Sequence, residues 1–206
     1  LNEGVPRSRI VECGDVMFDA ALHFAAKAEA NGAGAARFGL APGGYVLATV
    51  HRQENTDDPA RLAAILGGLA RAAAVMPVVL PLLTMPRARI GAAGLEGQLG
   101  ALQVIDPVGY LDMVGLEKDA CVIATDSGGV QKEAFFHGVP CVTLRDETEW
   151  VELVEAGWNR LVQPLDARDI GDAILGSRGA KGRAVMPYGA GDASGVIATT
   201  LADFPA

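Results

Sequence analysis

Short apolar runs alternate with amphipathic, helix-like stretches about six times along this chain. The predicted strands lie at residues 9–12, 45–50, 78–83, 104–105, 121–125, 140–144 and 161–162. The predicted helices lie at residues 15–30, 59–74, 87–99, 110–118, 130–137, 149–155, 167–175 and 193–201. A linker rich in Gly, Ala and Pro is predicted at 31–44, and a polar loop at 51–56. Such spacings suit βαβ crossovers, so the pattern predicts an α/β protein with an open parallel sheet and helices on both faces.

The composition agrees with such a core and excludes some partners. Half of the 206 residues are hydrophobic but only 5% are aromatic, which is typical of a core built from Ala, Val and Leu. A net charge of −8 argues against a nucleic-acid partner, because no basic stripe is present to contact a phosphate backbone. No apolar run approaches the length of a membrane span, which argues against a membrane partner. The isolated cysteines Cys13, Cys121 and Cys141 are expected to be free thiols, which fits a cytoplasmic location.

Polar clusters follow three of the predicted strands, at residues 51–55, 125–129 and 145–149. In open parallel sheets, ligands bind at the carboxyl ends of the strands, where these three clusters are expected to meet. We therefore place the candidate site at this edge of the sheet.

The run Thr-Asp-Ser-Gly-Gly at 125–129 is the most informative of the three, because a strand precedes it and a helix follows it. Gly128 and Gly129 lack a Cβ, so a ligand can approach the backbone closely, and the helix N-terminus favours a phosphate. Ser127 adds a hydroxyl, and Glu133, one helical turn further on, can accept hydrogen bonds from a sugar. Together these residues indicate a nucleotide-sugar diphosphate. The alternative interpretation is an ordinary helix entry in which Asp126 and Ser127 only cap the helix.

The other two clusters also have structural alternatives. Arg52 and His51 are candidates for contacting phosphate or a sugar hydroxyl, or they belong to a solvated loop that precedes a helix cap. Arg145 is either a phosphate ligand or a member of a structural ion pair, and Glu149 either binds sugar hydroxyls or caps the next helix. No spacing of His, Cys and acidic residues suggests a metal site, so none is predicted.

Taken together, these motifs resemble the non-hydrolysing UDP-N-acetylglucosamine 2-epimerase family. The matching segments are His-Arg-Gln-Glu-Asn at 51–55, Gly-Tyr-Leu at 109–111, Thr-Asp-Ser-Gly-Gly-Val-Gln-Lys-Glu-Ala at 125–134, Pro-Cys-Val-Thr-Leu-Arg-Asp-Glu-Thr-Glu at 140–149 and Tyr-Gly-Ala-Gly-Asp-Ala-Ser at 188–194. The resemblance implies a Rossmann-like parallel sheet that forms one half of a GT-B fold. Residues 1–30 are then a lead-in segment and helix from the domain junction. Residues 31–206 are the C-terminal, UDP-binding domain, and the catalytic first domain is expected to be absent.

The resemblance also implies a site and a reaction. His51 is the implied catalytic residue, which steadies the departing diphosphate. The implied UDP-binding residues are Arg52, Glu54, Asn55, Met113, Ser127, Gly128, Gly129, Glu133, Arg145 and Glu149. Family members invert C2 of the sugar by eliminating UDP to a glycal and adding it back, and no cofactor is implied. The family's carboxylates that move the C2 proton lie in the first domain.

The residues at some positions favour one branch of the family. The segment Thr-Glu-Trp-Val-Glu at 148–152 resembles the branch that acts on UDP-2,3-diacetamido-2,3-dideoxyglucuronic acid, whereas other members have Thr-Glu-Arg-Pro-Glu there. Four further residues depart from the usual family pattern. Leu83 and Thr84 replace His-Pro, Met113 stands where an aromatic ring often packs on the uracil, and Val196 replaces an Arg.

These observations lead to a function with open alternatives. We expect the UDP-sugar-binding domain of a sugar-nucleotide 2-epimerase of cell-surface polysaccharide biosynthesis, inactive without its first domain. The alternatives are a stand-alone UDP-sugar-binding module without catalysis and part of a hydrolysing 2-epimerase. The expected partners are a UDP-sugar substrate and the missing N-terminal domain. A homodimer of the full-length protein is a further alternative.

Overall fold

The fold is taken from a computed structural model, which describes residues 3–203. The strands are β1 (Val46–Thr49), β2 (Val78–Pro81), β3 (Gln103–Ile105), β4 (Val122–Thr125), β5 (Cys141–Leu144) and β6 (Asn159–Val162). The helices are α1 (Val16–Ala30), α2 (Gln53–Thr56), α3 (Pro59–Ala73), α4 (Thr84–Ala92), α5 (Tyr110–Asp119), α6 (Gly128–Phe136), α7 (Val151–Glu155), α8 (Ala167–Gly176) and α9 (Ala193–Ala202).

Local sequence explains where several helices begin. The side chains of Asp15, Asp58 and Asp166 accept hydrogen bonds from the first backbone N–H groups of α1, α3 and α8. In α3, Pro59 follows the capping Asp58 directly, at the position where its missing N–H costs nothing.

The six strands form one sheet in the order β3-β2-β1-β4-β5-β6, and every pair is parallel. This confirms the predicted α/β parallel sheet. The chain order reverses between β1 and β4, whose residues pair from Val46 with Val122 to Thr49 with Thr125. Such a reversal opens a crevice at the carboxyl ends of the two strands, where α/β proteins bind ligands.

Each face of the sheet carries its own apolar core, since successive strand residues point to opposite faces. On one face, Val46 and Ala48 of β1 pack in the core built around α3 and α8. On the other face, Tyr45 and Leu47 pack with residues of α5 and α6. The two cores hold the β1–β4 crevice between rigid helical layers.

Helix α1 packs against α5, α6 and α9. The Asp19 carboxylate of α1 accepts hydrogen bonds from the backbone N–H groups of Ala193 (3.0 Å) and Ser194 (2.7 Å) at the start of α9. The first and last helices are therefore joined, and the predicted division near residue 30 stays a prediction.

Three local predictions need correction. Residues 9–12 were expected to form a strand, but a 3-10 turn at Arg7–Arg9 is followed by irregular chain. The loop predicted at 51–56 contains the short helix α2. The helix predicted at 87–99 begins earlier, at Thr84, ends at Ala92, and is followed by a 3-10 segment at Glu96–Ala101, because glycines at 91, 94 and 97 weaken a continuous helix.

Within residues 3–203, no helix is both long enough and apolar enough to cross a membrane.

Candidate functional site

The start of α6 lies at the carboxyl end of β4, as the sequence predicted. Ser127 is the N-cap, and its hydroxyl accepts the N–H of Val130 at 3.5 Å. An added Cβ at Gly128 would lie 3.7 Å from Trp150 Nε1, and one at Gly129 would lie 3.7 Å from Met17 Cε, which are ordinary contact distances. Protein packing therefore does not require glycine at either position. The two glycines leave backbone N–H groups accessible at a helix N-terminus, where a phosphate binds well.

Asp126, directly before this turn, anchors the segment that follows β1. Its carboxylate is fully buried and accepts the backbone N–H of His51 at 3.1 Å and that of Arg52 at 3.0 Å. It also accepts the side-chain amide of Asn55 at 3.1 Å. The ring of His51 is 41% exposed, with Nδ1 3.7 Å from the same carboxylate. Asp126 thus fixes the backbone of the His51 segment and leaves the imidazole open to the crevice.

Asn55, a predicted UDP contact, is completely buried. Its amide nitrogen also donates to the carbonyl of Leu144 at 3.0 Å, and its amide oxygen accepts Arg61 Nε at 3.2 Å. The guanidinium of Arg61 reaches Asp146 at 3.0 Å. Asn55 therefore ties the carboxyl ends of β1, β4 and β5 together, and its polar groups are used within the protein.

A charge cluster, consisting of Arg52, Glu54, Arg145 and Glu149, lies across the ends of β1 and β5. Arg145 is buried and donates to Glu149 at 2.8 Å, and its Nε lies 3.5 Å from Glu54. Arg52 lies 3.7 Å from Glu149 and 3.9 Å from Glu54, beyond hydrogen-bond distance. The hydrogen bond from Arg145 lowers the pKa of Glu149. Arg145 is thus held by one firm hydrogen bond, to Glu149, although its buried Nε has no hydrogen-bond partner within the described residues. Arg52 is loosely held and 35% exposed.

An apolar pocket of about 180 Å³ lies beside the His51 segment. Its walls come from the carboxyl ends of β1 and β2, the segment before α5, and the helices α5 and α6. The lining residues are Thr49, Val50, His51, Pro81, Leu83, Pro107, Val108, Met113 and Val130. The predicted contact Met113 and the departure at Leu83 therefore belong to one pocket, which suits a flat, largely apolar ring.

Glu133 lies on α6, one turn past the glycines, facing α5. Burial raises the pKa of its carboxyl group, while the hydroxyl of Tyr110 on α5 donates to it at 3.4 Å. Glu133 is therefore partly screened from water but keeps acceptor capacity for a ligand hydroxyl.

Behind the glycine turn, Lys132 of α6 is almost completely buried and forms an ion pair with Asp15. Its ammonium lies 4.4 Å from the centroid of the Trp150 ring and 5.1 Å from that of Tyr188. The Trp150 indole N–H donates to the carbonyl of Gly128 at 2.8 Å. Trp150 therefore braces the glycine turn from behind.

Sequence reasoning missed three contributors to this site. Asp126 was considered only in the alternative interpretation, as a helix cap together with Ser127, but Ser127 is the cap of α6 and Asp126 binds the His51 segment. Arg61 and Lys132 were not singled out, because nothing local distinguishes them from the other cations on helices. The one available signal was Asp126 itself, an acid placed directly at the end of an apolar strand.

Among residues 3–203, no group of three or more His, Cys, Asp or Glu side chains is arranged to hold a metal ion.

Comparison with known proteins gives a consistent answer. The family profile described as UDP-N-acetylglucosamine 2-epimerase matches residues 1–202. The UDP-2,3-diacetamido-2,3-dideoxy-D-glucuronate 2-epimerase of Pseudomonas aeruginosa is 48% identical over 98% of this chain and 55% of its own length. A UDP-N-acetylglucosamine 2-epimerase homolog of Methanococcus maripaludis is 42% identical over 78% of this chain and 45% of its own length.

Solved structures agree with the sequence comparison. The Methanocaldococcus jannaschii UDP-GlcNAc 2-epimerase in complex with UDP-GlcNAc and UDP superposes with a TM-score of 0.86 at 34% identity, covering 98% of this chain and 57% of that one. The chain thus spans about half the length of the relatives that it matches, as expected of one half of a GT-B fold.

Proposed function

The chain belongs to the UDP-N-acetylglucosamine 2-epimerase family, and from that premise we propose that it is the UDP-binding half of a sugar-nucleotide 2-epimerase. The observation that carries the proposal is the turn at Gly128 and Gly129. Both residues open a helix N-terminus toward the crevice, at positions where protein packing tolerates a side chain. An open backbone at this helix N-terminus suits a bound diphosphate.

The rest of the nucleotide fits the groups around this turn. We place the uracil in the apolar pocket, against Met113, and the ribose hydroxyls on Glu133. In UDP the ribose joins the uracil to the diphosphate, and α6 contributes to all three subsites: Val130 lines the pocket, Glu133 faces the ribose, and the glycine turn receives the phosphates. Ser127, at the cap, adds a hydroxyl for the phosphates.

His51 and the charge cluster face the departing group. In the proposed reaction, the bond between sugar C1 and the phosphate oxygen breaks, and UDP leaves with the electron pair. The C2 proton passes to a base of the first domain, which leaves a glycal, and re-addition of UDP with reprotonation on the other face inverts C2. His51 donates a hydrogen bond to the leaving diphosphate, and the loosely held Arg52 supplies positive charge there.

We assign the sugar to the branch of the Pseudomonas aeruginosa relative, a UDP-2,3-diacetamido-2,3-dideoxy-D-glucuronate 2-epimerase. Support comes from Trp150, which braces the glycine turn through its indole N–H and covers Lys132. An arginine at that position would supply charge but no aromatic cover for Lys132. In the whole enzyme this half would work together with the first domain. We infer that the enzyme acts in the cytoplasm, in polysaccharide biosynthesis.

Calorimetric titration with UDP tests the proposal through Gly129→Ala. A methyl group at this position enters the space reserved for the diphosphate but meets no protein atom closer than 3.7 Å. We expect UDP affinity to fall by about tenfold or more, a loss of roughly 1.4 kcal/mol or more, with thermal stability unchanged or slightly raised.

Gly195→Ala is the matched control, because Gly195 also lies in the first turn of a helix and has open space around it. It should leave UDP affinity unchanged. Unchanged affinity in the Gly129→Ala protein would remove the helix N-terminus from the site. No saturable binding of UDP by the wild-type chain would overturn the proposal for this half on its own.

A further inference from the structure

Helices α5 and α6 enclose a carboxyl group that has no hydrogen-bond partner. Glu117 of α5 is 1% exposed, and within the described residues neither of its carboxyl oxygens has a partner. The same holds for the buried Nε2 of His137, at the end of α6. These two groups face each other, with Glu117 Oε2 3.9 Å from His137 Nε2.

The surroundings of Glu117 contain acids and neutral groups. Glu133 and His137 face it from α6, and Tyr110 lies two turns earlier on its own helix. Tyr45 before β1 and Cys141 of β5 lie within electrostatic range. Lys118, the next residue on α5, is instead bonded to Glu29 of α1 at 2.7 Å.

Burial decides the charge of the pair, because within residues 3–203 no lysine or arginine is bonded to either group. Burial raises the pKa of Glu117 well above its usual range, and the nearby Glu133 raises it further. Burial lowers the pKa of His137 to about 4, and the charge of Lys118 adds to this effect. At neutral pH the pair therefore consists of a carboxylic acid and a neutral imidazole, which are a donor and an acceptor.

We propose that Glu117 stays protonated and donates its O–H to His137 Nε2, so that Glu133 is the ionised member of these two carboxyl groups. The hydrogen bond requires the two atoms to approach about 1 Å closer than their present separation, which side-chain rotation supplies. The part that concerns Glu133 rests on the proposed function, in which Glu133 accepts hydrogen bonds from the ribose.

The neutrality of Glu117 has a direct consequence for Glu133. Two ionised carboxylates in one buried interface repel each other, so one of them takes up a proton. Because Glu117 is the more deeply buried and has a nitrogen acceptor opposite it, the proton stays there. Glu133, which lies nearer the crevice and accepts from Tyr110, is then free to ionise and bind ribose hydroxyls.

The first test is spectroscopic and needs no ligand. In the ¹³C spectrum of the full chain at pH 7, we expect the Glu117 carboxyl carbon, assigned by its loss in Glu117→Gln, at the shift of a protonated acid. The ¹⁵N shifts of His137 should be those of a neutral ring protonated at Nδ1. A carboxylate shift for Glu117, or a charged His137, would overturn the proposal.

The second test compares two isosteric variants in the same interface. Glu117→Gln keeps a neutral donor, so UDP affinity should stay within about twofold of wild type from pH 5 to 8, whereas Glu133→Gln should lose about tenfold. The exposed Glu155→Gln is the surface control. If Glu117→Gln shifts the acid limb of UDP binding to lower pH, Glu117 carries charge in the wild type and the proposal is wrong.

Stability against pH gives a third readout, with a definite sign. The folded state holds a proton on Glu117 that the unfolded chain releases above about pH 4.5, the ordinary value for Glu. The free energy of unfolding of wild type should therefore decline relative to that of Glu117→Gln as pH rises above 4.5. Parallel curves would contradict a protonated Glu117. If neither the wild type nor any of these variants binds UDP, the part of the proposal that concerns the ribose fails together with the proposed function. The spectra and the stability curves then still decide whether Glu117 is protonated.

Discussion

At the scale of single residues, the carboxylate of Asp126 shows how a buried charge is used. It accepts hydrogen bonds from two backbone N–H groups, those of His51 and Arg52, and from the side-chain amide of Asn55. These donors all lie more than 70 residues earlier in the chain, so no local pattern reveals the contact. A buried carboxylate that accepts several hydrogen bonds is compatible with a stable fold. Removing one of its donors lowers the stability of the protein, because part of the buried charge is then left without a partner.

We expect Asp126→Asn to lower the free energy of unfolding by about 2–3 kcal/mol, because hydrogen bonds to a charged acceptor are lost and an amide N–H faces backbone N–H groups. UDP affinity should fall as well, since the His51 segment loses its anchor. Urea unfolding measures the first effect and calorimetry the second. Asp106→Asn, at an exposed position, is the control, and equal stability of the two variants would contradict this role for Asp126.

At the scale of secondary structure elements, α3 and α8 approach each other closely. An added Cβ at Gly68 of α3 would lie 2.4 Å from Cγ2 and 2.5 Å from Cβ of Ile170 in α8. Both helices cover the same face of the sheet, over the core that contains Val46 and Ala48. The glycine therefore permits a helix spacing that holds α3, and with it the loop before α3, against the end of β1.

Gly68→Ala should reduce stability by about 1–3 kcal/mol, the usual cost of overpacking, although Ala is the better helix former. The measurement is the midpoint of thermal or urea unfolding, beside Gly195→Ala, where the added methyl group meets open space. A Gly68→Ala protein as stable as the control would show that α8 moves away freely, and the proposed spacing constraint would be wrong.

At the scale of the whole molecule, the crevice carries acids that are poorly suited to remove a proton from carbon. Arg145 holds Glu149 through a hydrogen bond of 2.8 Å and lowers its pKa, so Glu149 is a weak base. Glu54 lies 3.5 Å from the same guanidinium. The acids of the charge cluster are thus arranged to bind a charged ligand rather than to act as a base.

The chain alone should therefore bind the proposed substrate, UDP-2,3-diacetamido-2,3-dideoxyglucuronate, without exchanging its C2 proton. Incubation in D₂O, followed by proton NMR, should give neither the C2 epimer nor deuterium at C2. A full-length relative of the family is the positive control. Deuterium incorporation above the level of an enzyme-free sample would mean that this half contains a base, and His51, which is exposed to the crevice, and Glu133, whose pKa is raised, would be the first to replace.

The sequence by itself determined the parallel sheet, the helix order and the position of the glycine turn, because these depend on apolar periodicity, capping residues and glycines that act within a few positions of the chain. Where those local signals were weak, the prediction was wrong. Residues 9–12 are apolar enough for a strand but pair with no strand in the described part of the chain, and glycines divide the segment after β2 into two short helical pieces.

Only the tertiary structure decided which polar groups meet and which charges they keep. Residues predicted as one set of UDP contacts have different uses: Gly128 and Gly129 stay open, Asn55 is consumed by internal hydrogen bonds, and Arg145 is held by Glu149. Likewise, nothing in the sequence near Glu117 distinguishes it from a surface acid. Its distinctive state depends on burial and on a histidine brought opposite it by the packing of α5 on α6, and both are properties of the folded chain.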